Sequence, residues 1–111
     1  YIEIRYRYSI IMYERKILLG FIRVHILHHA VEDNGIYGLE MIEELKSHGY
    51  KISPGTLYPI LHDMKKNNLL LQKEKNVNGK IRKIYTPTKK GEKTLEKLKK
   101  FIVELSSEVI D

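Results

Sequence analysis

The segment Ser-Pro-Gly-Thr-Leu-Tyr-Pro, residues 53–59, constrains the fold of this chain more than any other part. It opens a helix in which apolar residues recur every three or four positions, the spacing of a single helical face. That face consists of Leu57, Ile60, Leu61 and Met64. The remaining side chains point outward and are of kinds that contact a partner, namely Thr56, Tyr58, His62, Lys65 and Lys66.

The sequence allows two starting points for this helix. Ser53 can serve as the N-cap with Pro54 as the first helical residue, a favoured pairing. In that register Pro59 lies inside the helix and removes the hydrogen bond to the carbonyl of Gly55. If Thr56 is the cap, Pro59 falls in the first turn, where a missing N–H costs little. We favour a tight first turn near Pro54 that becomes regular helix by Pro59.

A second amphipathic segment precedes this helix, with Leu39, Ile42 and Leu45 as its apolar positions. A loop at residues 47–52, which contains Gly49, joins the two segments. The later helix is expected to end at Asn67-Asn68, since Asn tolerates the left-handed conformation that closes a helix. Two helices joined by a short Gly-containing turn form a helix-turn-helix.

Two strand-like runs follow, at residues 69–75 and 80–86, and they flank Asn78-Gly79. Asn-Gly between such runs is the strongest short-range signal for a β-hairpin. Tyr85 is expected to anchor the hairpin in the core rather than to contact a ligand. Basic residues cluster on the hairpin, at Lys73, Lys75, Lys80, Arg82 and Lys83. We therefore predict a winged helix-turn-helix: a mainly α, α+β fold with long N- and C-terminal helices that form a dimer.

Three stretches in this order, residues 36–45, 52–61 and 83–91, make the chain resemble the PadR family of bacterial transcriptional regulators, in its short form with a single C-terminal dimerisation helix. The likeness runs from about Met12 to the C-terminus. It implies a DNA-binding domain at 12–87 and a dimerisation helix at 88–111. Two residues depart from the family pattern, because Asn68 replaces a usual Gly and Ile81 replaces a frequent Pro in the wing.

Charge is distributed unevenly along the chain, whose net charge is +6. Residues 1–50 carry six Lys or Arg against seven Asp or Glu, whereas residues 51–111 carry fourteen against seven. Clustered Lys and Arg that neutralise phosphates dominate nucleic-acid affinity, so the basic half is the expected footprint of a DNA-binding surface. The simpler interpretation, that lysines only keep a small protein in solution, does not account for their position on the wing.

These patterns predict a homodimeric regulator of double-stranded DNA, a repressor at a palindromic operator, with a two-fold axis that matches the DNA. In the major groove we expect the helix that begins at Ser53 to use Thr56, Tyr58 and His62. Phosphate contacts are expected from Lys51, Lys65 and Lys66, and backbone or minor-groove contacts from Lys75, Lys80, Arg82 and Lys83. The alternative is a winged-helix module that docks a protein, which would not need a basic wing.

The C-terminal segment repeats a 3-4-3-4 apolar spacing, a coiled-coil type of seam, that we expect a second chain to cover. The alternative is that this helix packs back on its own domain. The seam consists of Leu95, Leu98, Ile102, Leu105 and Val109, widened by Phe101.

The first long helix, expected at residues 14–31, is apolar on two adjacent stripes. One stripe is Ile17, Phe21, Val24, His28 and Val31, and the other is Leu18, Ile22, His25 and His29. The PadR resemblance implies release from DNA either by a small, often aromatic effector or by a change in the spacing of the two recognition helices. Such a ligand could lodge among Phe21, His25, His28 and Phe101, although dense packing of these side chains in a dimer is the favoured interpretation.

His25, His28 and His29 share one helical face, yet no neighbouring carboxylate completes a recognised metal set, so packing is favoured over coordination and no metal is expected. No phosphate loop, nucleophile elbow or carboxylate pair suggests an enzyme, and no cofactor is expected. Nothing suggests a membrane partner, and the absence of cysteine suits the cytoplasm of a bacterium or archaeon, where the nucleoid lies.

Residues 1–11 alternate like a strand before Met12. We interpret Met12 as the natural start and residues 1–11 as a non-native segment or an upstream extension. As a native segment they would form a strand or extend the first helix.

Overall fold

A computed structural model describes the backbone of residues 2–110 and the side chains of residues 11–110. Its helices and strands follow the order of a winged helix. They are α1 (Ile2–Glu32), β1 (Ile36–Tyr37), α2 (Gly38–Ser47), α3 (Pro54–Lys66), β2 (Leu70–Val77), β3 (Lys80–Pro87) and α4 (Lys89–Val109). The three strands form one antiparallel sheet in the order β1-β3-β2. The predicted α+β class is confirmed.

Helix α3 begins as the sequence predicts, with Ser53 extended and Pro54 as the first helical residue. The backbone N–H groups of Thr56 and Leu57 both donate to the Ser53 carbonyl, each at 3.0 Å, so the first turn is tight. Pro59 lies inside the helix. At the far end Asn68 has φ +61°, the left-handed conformation expected there.

The β2–β3 hairpin, called the wing below, closes through a two-residue turn, because Val77 lies opposite Lys80. Asn78 and Gly79 both have positive φ, 53° and 83°, as a type I′ turn requires. The turn is fixed further by the Asn76 side chain, whose Oδ1 accepts from the Gly79 N–H at 2.9 Å. The predicted hairpin is confirmed.

Strand β1 is a feature that the sequence analysis missed. It is only two residues long, and it pairs Ile36 with Tyr85 and Tyr37 with Ile84. Ile36 and Tyr85 are both buried, and burial raises the pKa of the Tyr85 hydroxyl. Tyr85 is therefore a core residue, as predicted.

One core joins all the helices and the sheet, and α3 contributes its predicted face of Leu57, Ile60, Leu61 and Met64. Two expectations about this core were wrong. Leu39 is 58% exposed, because Met41 and Leu45 face the core from α2 instead. On α1 the buried residues are Ile22, Ile26, Leu27 and Ala30, and of these only Ile22 belongs to a predicted stripe.

Helix α1 begins well before Met12, since its backbone is helical from Ile2. Of the two conformations that the sequence left open for residues 1–11, the helix is the one present from Ile2 onward, while Tyr1 lies outside the described residues. Across residues 2–110, no helix has both the length and the apolar character needed to cross a bilayer.

Helix α4 is capped by Thr88, whose Oγ1 accepts from the Gly91 N–H at 2.9 Å. The apolar seam of α4 has a proximal part that packs on the chain's own core and a distal part that is exposed. Leu95 is buried in the core of its own chain and Leu98 packs against that core. This corrects the expectation that a second chain covers Leu95, because the start of α4 lies against α1. The distal members remain exposed: Phe101, Ile102, Leu105 and Val109.

Candidate nucleic-acid interface

The outward face of α3 presents most of the side chains that the sequence analysis assigned to DNA. His62, Lys65 and Lys66 are exposed, and Thr56 is half-buried. Lys51 and Ser53 are exposed just before the helix begins. The fold thus places six polar or basic side chains on α3 and in the turn just before it.

The Tyr58 side chain is partly covered by α2, although its spacing along α3 predicted that it points outward. A Cβ added at Gly38 would lie 2.5 Å from the Tyr58 hydroxyl oxygen, so the phenol rests on the first residue of α2. The side chain is nevertheless 39% exposed. Gly38 therefore makes room for Tyr58 between the two helices while leaving one side of the ring accessible.

Arg82 is the wing residue whose surroundings differ most from expectation. Its Nη2 donates to both carboxylate oxygens of Glu40, at 2.8 and 2.6 Å, and its Cζ lies 4.3 Å from the centroid of the Tyr37 ring. The hydrogen bond from Arg82 lowers the pKa of Glu40. The pair joins the wing to the first turn of α2.

The lysines of the wing are placed differently from Arg82. Lys75, Lys80 and Lys83 are exposed, and among the side chains described here none of the three forms an ion pair. Lys75 lies directly opposite Arg82 in the ladder, and Lys83 lies opposite Glu74. Their ammonium groups remain available to a polyanion.

Sequence analysis missed Arg15, which belongs to α1. Its Nη2 donates to Thr56 Oγ1 at 3.3 Å, so Arg15 is a second basic group, beside Lys51, at the N-terminus of α3. The two residues are 41 positions apart in the chain. No local pattern could have shown this proximity.

A large apolar groove of about 610 Å³ runs between α1 and α4 on another side of the chain. Phe21, His25 and His28 contribute to its walls, as the predicted effector seam required. Phe101 is 71% exposed and does not line the groove, because it lies off the face of α4 that carries Ile102 and Leu105. That part of the predicted seam is wrong.

Comparison with known proteins identifies the fold's family. Residues 26–97 match the family described as "Transcriptional regulator PadR-like family". The chain belongs to the PadR-like family. It is 42% identical over 89 residues to Transcriptional regulator Rv3488 of Mycobacterium tuberculosis, a match that covers 80% of this chain and 82% of that protein.

Solved structures agree with this assignment. A PadR-like transcriptional regulator from Bacillus cereus superposes with a TM-score of 0.79 at 32% identity, covering 85% of this chain and 92% of that one. A PadR family transcriptional regulator from Eggerthella lenta gives 0.72 at 27% identity, with 93% and 92% covered. The resemblance read from the three sequence stretches is confirmed, and so is the winged-helix fold.

The two departures from the PadR pattern have simple structural outcomes. Asn68 adopts the positive φ for which Gly is usual, and an Asn side chain tolerates that conformation. Ile81 is 65% exposed within a regular strand, opposite Asn76. The wing of this PadR-like chain is therefore an unbroken hairpin.

Proposed function

We propose that this chain is a homodimeric, sequence-specific repressor that binds a palindromic operator in double-stranded DNA. The observation that carries the proposal is the exposed face of α3, together with Arg15 and Lys51 beside its N-terminus and wing lysines that form no ion pair with the described side chains. A helix accompanied by such cations suits the major groove, since the groove is bordered by two phosphate backbones.

Each group has a role within this proposal. Tyr58 and His62, with Thr56, reach base edges or nearby phosphates, while Lys65 and Lys66 at the end of α3 hold phosphates. The wing lysines follow the backbone beside the adjacent minor groove. Arg82 serves first to hold the wing through Glu40, and a phosphate would have to compete with that carboxylate to engage it.

The α1–α4 groove supports the homodimer. Its walls include Ile102, Leu105 and Val109, which are 46%, 51% and 68% exposed in the single chain. Exposed apolar side chains that gather along one contiguous groove are typical of an interaction site. A second copy would supply the same apolar helix faces and bury both grooves at once, as a two-fold interface does.

The proposal is tested by footprinting the chain on the DNA that flanks its own gene. We expect two protected half-sites about one helical turn apart, close to 34–36 Å, arranged as an inverted repeat. Protection of a single half-site would reject the dimeric mode. Equal affinity for this DNA and for random DNA would reject specific readout and favour the protein-docking alternative.

Replacing Lys80 and Lys83 together with Ala should weaken binding to operator and random DNA alike. Each lost phosphate contact should lower the slope of log K against log salt by about 0.9, so the pair should lower it by about 1.8. The measurement is fluorescence anisotropy over a series of salt concentrations. The control is Lys93→Ala with Lys97→Ala, which removes the same charge from exposed positions on α4. An unchanged slope in the wing variant would remove the wing from the interface.

A small aromatic effector is a further part of the proposal. It would occupy the space that remains in the α1–α4 groove near Phe21, His25 and His28. Its effect would be limited to its difference in affinity between the DNA-binding dimer geometry and another geometry. Phenolic and cationic aromatic compounds should lower operator binding of the wild type but not of a Phe21→Ala variant. Loss of binding in both proteins alike, or in neither, would reject this site.

A further inference from the structure

Three histidines lie close together where α1 meets the end of α2. Their positions in the sequence did not predict this proximity. His25 and His29 are one turn apart on α1, and His48 directly follows α2. One ring nitrogen from each lies within 4.8 Å of those of the other two, and this is the one such group of three among the described residues. The set differs from the sequence triplet, because His48 takes part and His28 does not.

A carboxylate faces the same point. Glu44 Oε1 lies 3.3 Å from Nε2 of His29 and 3.1 Å from Nε2 of His48. A single oxygen thus contacts two imidazoles from different elements. On the opposite edge of the His29 ring, Nδ1 lies 3.6 Å from Oδ2 of Asp33. A carboxylate behind a histidine is the usual arrangement that orients a metal ligand.

From this geometry we propose that His25, His29, His48 and Glu44 bind one divalent transition-metal ion of the Zn²⁺ class in each protomer. Three imidazole nitrogens and one carboxylate oxygen suit Zn²⁺, Co²⁺ or Ni²⁺, and they do not suit Mg²⁺ or Ca²⁺, which require oxygen ligands. The chain has no cysteine, so a thiolate set cannot compete.

The movement needed to close the site is small. Bonds of 2.0–2.1 Å in a tetrahedral site place ligand nitrogens roughly 3.3 Å apart, so no pair of these nitrogens would need to approach by more than about 1.5 Å. His48 is 44% exposed and precedes Gly49, which has φ +93°. Its ring now lies 4.9 Å from that of His25, nearly parallel. Rotation of this exposed side chain would let the three rings converge.

A metal held by these residues would tie α1 to α2, because two ligands belong to α1 and the other two to the end of α2. Helix α2 is the first helix of the helix-turn-helix, and His25 also lines the α1–α4 groove. Metal occupancy would therefore fix the DNA-binding unit relative to the helices that we assign to the dimer. This regulatory consequence rests on the proposed function, whereas metal binding itself does not.

The test uses the full chain without a polyhistidine tag and titrates it with ZnCl₂ by calorimetry and with CoCl₂ by absorbance, in the absence of DNA. We expect one ion per protomer, a tetrahedral Co²⁺ spectrum and a Zn²⁺-dependent rise in Tm. His48→Ala and Glu44→Gln should each weaken Zn²⁺ binding by at least about tenfold. His28→Ala, which changes the neighbouring histidine outside the set, should bind as the wild type does.

Two results would overturn the metal site. One is the absence of a tetrahedral Co²⁺ spectrum, and the other is equal weakening by His28→Ala and His48→Ala. Circular dichroism checks that each variant is folded. His48 and Glu44 are 44% and 42% exposed, so we expect the core to tolerate both substitutions. A separate titration of operator binding with Zn²⁺ then reports on regulation, so failure of the DNA proposal leaves the binding result intact.

Discussion

Ile102→Asp is expected to convert the protein from a dimer to a monomer and to abolish tight operator binding. Ile102 lines the α1–α4 groove and is 46% exposed in the single chain, so an aspartate there adds little strain to an isolated protomer. In the proposed dimer the same carboxylate would be buried without a partner, and the two-fold axis would bury a second one. An uncompensated buried charge costs about 3–5 kcal/mol. The dimer dissociation constant should therefore rise by roughly 100-fold or more.

The residue next in sequence supplies a matched control. Val103 is 70% exposed and does not line the groove, because one residue along a helix turns the side chain by about 100°. Val103→Asp makes the same chemical change on the same helix and should leave the dimer intact. Sedimentation velocity at several micromolar concentrations, with circular dichroism to verify folding, compares the two variants directly. A wild-type chain that sediments as a monomer would contradict the proposed interface, as would equal dissociation of both variants.

DNA binding gives a second measure of the same variant. A dimer gains from two half-sites held at fixed spacing, whereas a monomer contacts one, so operator affinity should fall much further than affinity for a single half-site. Ile102→Asp should therefore lose operator preference while keeping its weak binding to half-site DNA. If operator binding survives in a protein shown to be monomeric, the palindromic mode is wrong.

Local patterns in the sequence were sufficient for the helix-turn-helix and the wing. The core face of α3 follows from helical periodicity, and the hairpin follows from Asn78-Gly79, because each depends on residues within one element. The family pattern could be recognised for the same reason, since its motifs are short and contiguous. These features lie close together in the chain, and elementary backbone preferences determine them.

Contacts between distant elements were beyond the same reasoning. The Arg82–Glu40 pair joins residues 42 positions apart, and the set of histidines gains His48 only through the packing of α2 on α1. Strand β1 has two residues, too few to show a period. We assigned Leu95 to the dimer seam because its spacing matched the other seam residues. Spacing along α4 cannot show which part of that helix is covered by its own chain.

A contact of this long-range kind gives the second large expected effect, at Gly91 in the first turn of α4. A Cβ at this position would collide with the carbonyl oxygen of Leu69, which accepts from the Thr88 N–H at 3.2 Å. The obstacle is a backbone atom between α3 and the wing, and it cannot rotate away as a side chain could. Gly91 therefore permits the end of α3, the start of β2 and the start of α4 to meet.

Gly91→Ala should destabilise the protein by about 1–3 kcal/mol, the usual cost of forcing an extra carbon into a packed site. This cost should exceed the gain of at most about 1 kcal/mol that Ala brings to a helix. Gly20→Ala is the matched control, because Gly20 is also helical and a Cβ there meets no atom within 4 Å. That substitution should stabilise the protein by about 0.5–1 kcal/mol. Urea denaturation at one fixed protein concentration compares the two, since dimer stability depends on concentration. Stabilisation by both substitutions would show that the Leu69 carbonyl yields to a methyl group, and the junction of wing and α4 would then not depend on glycine.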